Sequence, residues 1–438
     1  MQLIVYCARI TPRVEYIFST LLNAIGVNNF QLTEDVAFFN NSTGYKINYS
    51  TAYVREDILW IDPVTLLFEN DIQKQPIEIF SWKGTKVFFK SSNGDLPFDI
   101  FAASFYLITR YEEYLPYKVD TYGRYAHENS IAYKSDFLCL PLVNLWLKEF
   151  CTLLKQAFPF LYFDTPGFRF LPTYDIDIAF SYSHKGYVRN AGGLLRAMAE
   201  GEWARASERI NVLFGNQKDP FDSYEWLDEL HEKYHLKPIY FFLVAPEIKG
   251  YDKNILPSKK AVQKLMQKHS AAYHVGVHPS WQSGDTPELL QQEIETLATI
   301  TGNNIHKSRQ HYIRMTLPET YRRLMQAGIS EDYTMGYGSI NGFRASYCLP
   351  YLWYNLQKEE ITSLTIYPFC YMDANSYFEQ HLSGVEALKE MQHYYNVTKE
   401  VNGLFITIWH NHFLGTDKMF EGWKEIYSTM VDRIYNKD

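Results

Sequence analysis

Asp175 and Asp177 stand two residues apart at the end of an apolar run, Leu171-Pro172-Thr173-Tyr174-Asp175-Ile176-Asp177. An extended strand sends side chains i and i+2 to the same face. One carboxylate can then hold a cation while the other accepts a proton. A second run, Tyr273-His274-Val275-Gly276-Val277-His278-Pro279-Ser280, carries two histidines four residues apart. Its Val, Gly and Val disfavour a helix and Pro279 closes it, which predicts a strand whose C-terminal end lies at an active-site rim. His274 and His278 with one of the two carboxylates make two imidazoles and one carboxylate, a donor set used by catalytic zinc with one position left for water, and the other acid is then free to act as a base. Spacing alone leaves another reading open, in which the acids cap the next segment and the histidines serve packing.

A third feature is a literal HExxH, His231-Glu232-Lys233-Tyr234-His235. On a helix it would put two imidazoles on one face with Glu232 as general base, the arrangement of a zinc protease. The sequence around it disfavours that use. Trp226, Leu227, Leu230 and Tyr234 form a core stripe, Pro238 ends the helix just after His235, and no third ligand follows on another helix. A surface helix with two satisfied histidines is the competing reading.

The elements that must position these residues fall into two parts. The first, residues 1–165, mixes short strands (Leu3–Tyr6, Lys46–Tyr49, Ile58–Ile61) with helices over Glu15–Ile25, Phe98–Tyr114 and Leu142–Ala157, and reads as a smaller mixed α+β domain. Phe163-Asp164-Thr165-Pro166-Gly167 is the best linker. In residues 166–438, strands are expected at Phe168–Tyr174, Pro238–Val244, Tyr273–Val277, His311–Met315, Ile361–Tyr367 and Leu404–Trp409. Helices are expected between them at Ser223–Tyr234, Lys259–Lys268 and Pro287–Ala298. That alternation predicts an α/β fold with a parallel sheet closed into an irregular (β/α) barrel. The stretch His184–Gly215 exceeds what one crossover needs and reads as an inserted helical segment able to cover the site.

The 438 residues include 42 basic and 50 acidic side chains, a formal charge of −8. That balance excludes the basic surface of a general nucleic-acid binder. Five scattered cysteines without a CxxC pair suggest neither a disulfide framework nor a thiolate zinc site. The opening apolar run stops at Arg9 without a basic n-region, and no apolar stretch approaches the roughly 20 residues that span a bilayer. The expectation is a cytoplasmic protein without nucleic-acid or membrane partners; nothing in the sequence fixes its oligomeric state. The 35 Tyr, 29 Phe and 9 Trp should mostly fill cores, with a few, such as Trp281, Trp353 and Trp409, available to stack on sugar rings.

From about Phe168 onward the chain resembles the polysaccharide deacetylase family, the metal-dependent NodB-homology carbohydrate esterases. Thr173-Tyr174-Asp175-Ile176-Asp177 is similar to the family's first motif, Pro238–Val244 to its buried second strand, and His274/His278 to its His-x-x-x-His motif. Gly342-Phe343-Arg344-Ala345-Ser346 is similar to its Arg motif, and Phe405-Ile406-Thr407-Ile408-Trp409-His410 to its late strand ending in His. All stand in the family's order. With Tyr111-Glu112-Glu113-Tyr114 and Ser308-Arg309-Gln310-His311, the whole chain resembles a Bacteroidetes branch whose N-terminal region is uncharacterised. The sequence departs from the pattern at Val275, where Ser or Thr often stands, and after Arg344, where Pro is usual.

The resemblance implies hydrolysis of a carbon–nitrogen, non-peptide bond: deacetylation of an N-acetylated sugar or polysaccharide. Asp177, His274 and His278 would hold a divalent metal, Zn2+ in the first instance, polarising the acetamide carbonyl and the attacking water. Asp175 would be the general base, with Arg344 hydrogen-bonding and orienting it. A backbone N–H soon after Arg344, such as that of Tyr347, would face the oxyanion. His410 would protonate the departing amine, with His412 a weaker alternative and Asp373 as the group that orients the acid. The rival from another class is a carbohydrate-binding or scaffolding protein on the same barrel with little turnover. Arg309 and His311 either line the pocket or serve structural pairing, and Arg110, Glu112 and Glu113 read as a solvated or interdomain charge cluster.

Overall fold

A computed structural model describes residues 2–52 and 58–436. Residues 1 and 53–57 of the expected first part, and 437–438 of the second, lie outside them, as does the Met1 start of the opening apolar run.

The first sheet is built from β1 (Leu3–Cys7), β2 (Phe30–Thr33), β3 (Tyr45–Tyr49) and β4 (Leu59–Ile61), in the order β2-β1-β3-β4, all parallel. Central β1 is buried on both faces, as a parallel strand under crossovers must be. The layout is therefore α/β, in place of the α+β mixture expected. Helix Pro12–Ala24 starts on a Thr11 hydroxyl that accepts from Val14 N–H at 3.2 Å, with Pro12 in the first turn where no donor is missed. Helix Ile100–Ile108 is apolar and buried throughout, capped by Asp99. It stops short of the expected Phe98–Tyr114 because Arg110 turns left-handed (φ 55°), and a separate turn follows at Tyr111–Tyr114. A small hairpin, β5 (Phe80–Trp82) with β6 (Thr85–Val87), lies apart from this sheet.

The second sheet has nine strands: β7 (Arg169–Ile176), β8 (Ile239–Leu243), β9 (His274–His278), β10 (Lys307–Ser308), β11 (Glu331–Asp332), β12 (Tyr351–Asn355), β13 (Glu360–Ile366), β14 (Tyr371–Met372) and β15 (Leu404–His410). Their order is β12-β13-β11-β10-β9-β8-β7-β15-β14, parallel except for the β12/β13 hairpin. The expected barrel does not close. Among the described residues β14 pairs only with β15, and the chain between β11 and β12 runs as turns where a closing strand would be needed. The expected strand His311–Met315 is also absent. Pairing ends at Ser308, and residues 311–313 fold into a tight turn over the end of the sheet.

One apolar core runs through both sheets, drawing on Val5, Phe101 and Trp146 as well as Tyr174, Tyr354 and Trp409. The stretch expected to be a linker is held in place: Asp164 N–H donates to Gly26 carbonyl at 3.2 Å. Gly26 (φ 75°) packs on the Asp164 backbone with no room for a Cβ. A buried ion cluster adds polar contact. Arg344 binds Glu113 through two hydrogen bonds (2.6 and 2.9 Å), and Glu113 also accepts from Arg110 at 2.7 Å. Breaking one side of such a pair strands a buried charge, so Arg344→Met should lower unfolding free energy by about 3–5 kcal/mol, read as a shifted denaturant midpoint. An unchanged midpoint would mean the cluster contributes nothing.

Candidate metal and acid–base site

The site forms at the C-terminal ends of β7, β9 and β15, where strand register fixes two levels. At the lower level Asp175 pairs in register with His410 on β15 and with Phe241 on β8, and Phe241 with Gly276 on β9. Two residues further on are Asp177 and, beside Leu243, His278. Gly276 is required here because a Cβ would meet the Phe241 ring at 2.6 Å and Lys307 carbonyl at 2.8 Å. The Arg309 guanidinium lies over that Phe241 ring, 4.5 Å from its centroid, and reaches Asp175 Oδ1 at 2.8 Å. Its Nε donates to Tyr333 carbonyl at 3.0 Å. Arg309 and Asp175 are both essentially inaccessible to solvent.

At the upper level, ligand atoms of Asp177, His278 and His311 all lie within 4.8 Å of one another. His278 Nε2 is 3.2 Å from Asp177 Oδ1, and His311 Nε2 is 3.7 Å from Asp177 Oδ2. His410 Nε2 is 3.6 Å from the same Oδ2. In each ring Nδ1 is engaged behind the site: His278 with Arg309 carbonyl (2.5 Å), His311 with Asp252 (2.9 Å), His410 with Asp373 (2.7 Å). An Nδ1–H donated to an oxygen acceptor leaves Nε2 as a lone pair in the neutral ring. In their neutral forms His278 and His311 thus turn acceptors toward the Asp177 carboxylate, whose buried Oδ1 has no donor. That arrangement suits a cation bound by Asp177, His278 and His311.

The same crowding appears in proton affinities. Burial opposes the charge on Asp177, yet His311, His278 and His410 hold its carboxyl well below the usual range. Burial also opposes charge on His311, but the Asp177 and Asp252 carboxylates raise it to about 9. His410, against Asp373 and then Asp177, is raised to about 10 despite burial. His412 goes the other way, pushed down to about 3 by burial and by His410, which leaves it neutral and unsuited as the acid.

The turn that delivers His311 is strained. Tyr312 and Ile313 both have positive φ (59° and 54°), worth about 1–3 kcal/mol each for residues with a Cβ. Tyr312 carbonyl accepts from Arg124 at 2.7 Å, and with Tyr122 these side chains line the cavity of about 530 Å³ over the ligand atoms. Residues from before the second sheet therefore form part of its wall.

Several sequence expectations change. His274 starts β9, exposed, and in a strand i and i+4 are separated by about 13 Å, so it cannot share a site with buried His278. His311 occupies the place expected for it. Arg344 is engaged by Glu113 and Gly336 carbonyl, and Arg309 makes the contact with Asp175 expected of it. Tyr347 borders a different cleft, with Tyr16 and Thr20. The HExxH splits: His231 is buried against Tyr174 Oη at 2.8 Å, while His235 turns left-handed beyond the helix end and is exposed. Arg309 and His311, left open in the sequence between pocket lining and structural pairing, had one further signal, a spacing like that of the two acids. Arg309 and His311 are also two residues apart just past a strand end.

Residues 3–159 match a family model described as a family of unknown function, DUF7033. No curated protein matches the chain. Solved structures with some likeness include a protein from Mycobacterium smegmatis named as a polysaccharide deacetylase, at 12% identity and TM-score 0.39, covering 62% of this chain and 86% of that one. Another, named as a polysaccharide deacetylase from Pseudomonas aeruginosa, has 11% identity and TM-score 0.37, covering 62% and 85%. The polysaccharide deacetylase Bc1974 from Bacillus cereus has 9% identity and TM-score 0.29, covering 62% and 87%. Among the described residues no helix is long and apolar enough to cross a membrane.

The geometry puts His311 in place of His274 beside Asp177 and His278. His311→Ala should lower bound divalent metal by at least about tenfold in affinity, whereas His274→Ala should leave it unchanged, both read by metal analysis after dialysis. The reverse pattern would restore the His274/His278 pair.

Proposed function

We infer that this protein is a metal-dependent hydrolase that cleaves a carbon–nitrogen, non-peptide bond, releasing acetyl from an N-acetylated sugar. One observation carries the reading. An ion-pair-anchored carboxylate (Asp175–Arg309) and a carboxylate-paired imidazole (His410–Asp373) flank a three-residue metal ligand set at the base of one cavity. The sugar comes from the motif resemblance and from the Tyr122 and Tyr312 rings on the cavity wall, whose faces suit a saccharide's C–H surface. A divalent ion, zinc in the first instance, fits a His2Asp donor set; bound there, it would supply Lewis-acid polarisation of the scissile carbonyl and of water.

The chain's own residues would do the rest. Arg309 fixes Oδ1 of Asp175, leaving Oδ2 to take the proton of the attacking water. Phe241 beneath the guanidinium keeps Arg309 from turning away. His410, held protonated by Asp373, gives a proton from Nε2 to the departing amine. Its Nδ1 hydrogen bond and the Asp373 contact to its own backbone N–H (2.7 Å) set the ring's direction.

Two outcomes test the roles. Asp175→Asn should lower kcat for acetate release at least about a thousandfold while metal content stays at the wild-type level. Full activity in that variant would end the base assignment. His410 acts only while protonated, so kcat/KM should fall as pH rises through its pKa. Asp373→Asn removes the charge that raises this pKa, so the alkaline limb should move to lower pH. An unmoved limb would take Asp373 and His410 out of the acid's role. Acetate release over a panel of N-acetylated sugars and polymers with metal added identifies the substrate; release from none would favour the binding-protein reading.

A further inference from the structure

Of the three rings whose Nε2 atoms surround Asp177, two stand at the ends of strands, His278 on β9 and His410 on β15. Their direction follows from the ladder. His311 lacks that support, because pairing on β10 stops at Ser308 and the ring leaves from the turn 311–313. That turn runs against its own sequence. Tyr312 and Ile313 hold φ 59° and 54°, a conformation that glycine adopts at little cost and a β-branched residue does not. Left to itself the turn would relax to negative φ and carry the His311 ring away from Asp177.

Two things hold it. One is local: Ile313 is buried, and Arg314 just beyond it binds Asp285 and the Trp281 carbonyl, each at 2.8 Å. The other comes from far back in the chain. Tyr312 carbonyl accepts from Arg124 Nη1 at 2.7 Å. Arg124 lies within residues 3–159, the segment that matches a family of unknown function.

Arg124 is built as a fixed donor. It is buried, and Asp120 Oδ2 accepts from its Nε at 2.6 Å. Asp120 Oδ1 meanwhile accepts the backbone N–H groups of Tyr122 and Arg124, both at 2.9 Å. With Nε held by a charge-assisted bond, the planar fork leaves Nη1 one direction. The guanidinium also stacks on Tyr122, 4.7 Å from the ring centroid. Gly338 makes room for it: a Cβ there would strike Nη1 and stand 2.9 Å from the Tyr312 carbonyl oxygen. Asn129 closes the loop by bonding both the N–H and the carbonyl of Lys118, at 3.1 and 2.8 Å. His127 Nδ1 seats it on Ser339 Oγ at 2.9 Å, next to Gly338.

We propose that Arg124 is a positioning residue of the metal site: the segment before the second sheet supplies the clamp that keeps His311 aimed at Asp177, and the site is incomplete without it. The inference rests on the reading of Asp177, His278 and His311 as metal ligands. Residues 3–159 thereby take part in the site without placing any atom on the metal. Asp252 also holds the His311 ring, through Nδ1, so loss of the clamp loosens the ligand and does not remove it.

Zinc affinity of the full chain, measured by competition with a chromogenic chelator, tests it. R124A should bind Zn2+ about tenfold more weakly, and added guanidinium ion should restore that affinity while leaving the wild type unchanged. R124K should stay weak, since one ammonium cannot serve Asp120 and the Tyr312 carbonyl in the fork's geometry. In an H311A background either Arg124 substitution should cost nothing further, because Arg124 acts only through His311. A general loss of stability would instead lower affinity in both backgrounds. R124K, checked by circular dichroism, carries the comparison if R124A does not fold. Wild-type affinity in the Arg124 variants beside a weakened H311A would end the clamp alone, as would losses that add in the double variant. Full affinity in H311A would remove the ligand reading and the clamp with it.

Discussion

Around Asp177 the chain aims one carboxylate and three imidazole Nε2 atoms at a single point, and holds them there from behind. The surrounding carboxylates draw His311 and His410 toward their protonated forms, while the buried Asp177 Oδ1 is left without a donor. What fixes the direction of the rings is the set of Nδ1 contacts with Arg309 carbonyl, Asp252 and Asp373, each on a different segment. The surrounding fold can be read as support for those three contacts. Asp252 is itself pinned by Trp281 N–H and Gln282, and Asp373 by its bond to the His410 backbone. Such outer partners fix the tautomer as well as the direction of a ligand ring.

Beneath that layer lies a second one with a different logic. Asp175, Phe241 and Gly276 sit side by side across three parallel strands, and the guanidinium of Arg309 lies over the middle ring to reach the acid. Only glycine at 276 leaves the ring its place. The cost of bringing Arg309 and His311 up together is carried by the left-handed pair Tyr312 and Ile313, and the Tyr312 carbonyl is tied down by Arg124. Strain in a β-branched residue persists only where neighbours over-determine it, and here the neighbours include a segment from before the second sheet. The buried Arg110–Glu113–Arg344 cluster is the polar part of the same attachment.

What the sequence made legible follows from how far each inference had to reach. Apolar runs ending in polar residues located Asp175, Asp177, His278 and His410 at strand ends, because strand length and alternation are local. His274 failed on a local point too: a strand long enough to present His278 at its end must put i−4 at its start. Arg344 and Arg309 exchanged places because a single sequence carries no record of which arginine meets Asp175; that depends on packing over Phe241 and on a glutamate more than 200 residues away. Barrel closure was inferred from strand–helix alternation, which cannot reveal that β10, β11 and β14 are two residues long. The inserted helices at 184–215 were visible as excess length, but which of their side chains stay exposed emerges only from how they pack.

The central claim is that Asp177, His278 and His311 form one metal site with Asp175 and His410 on either side. Anomalous diffraction from crystals grown with zinc, recorded above and below the zinc edge, tests it most directly. The account predicts one strong peak about 2.0–2.2 Å from Asp177 oxygen and from Nε2 of His278 and His311. A peak at His274, or at His231 and His235, with none at Asp177, would contradict it.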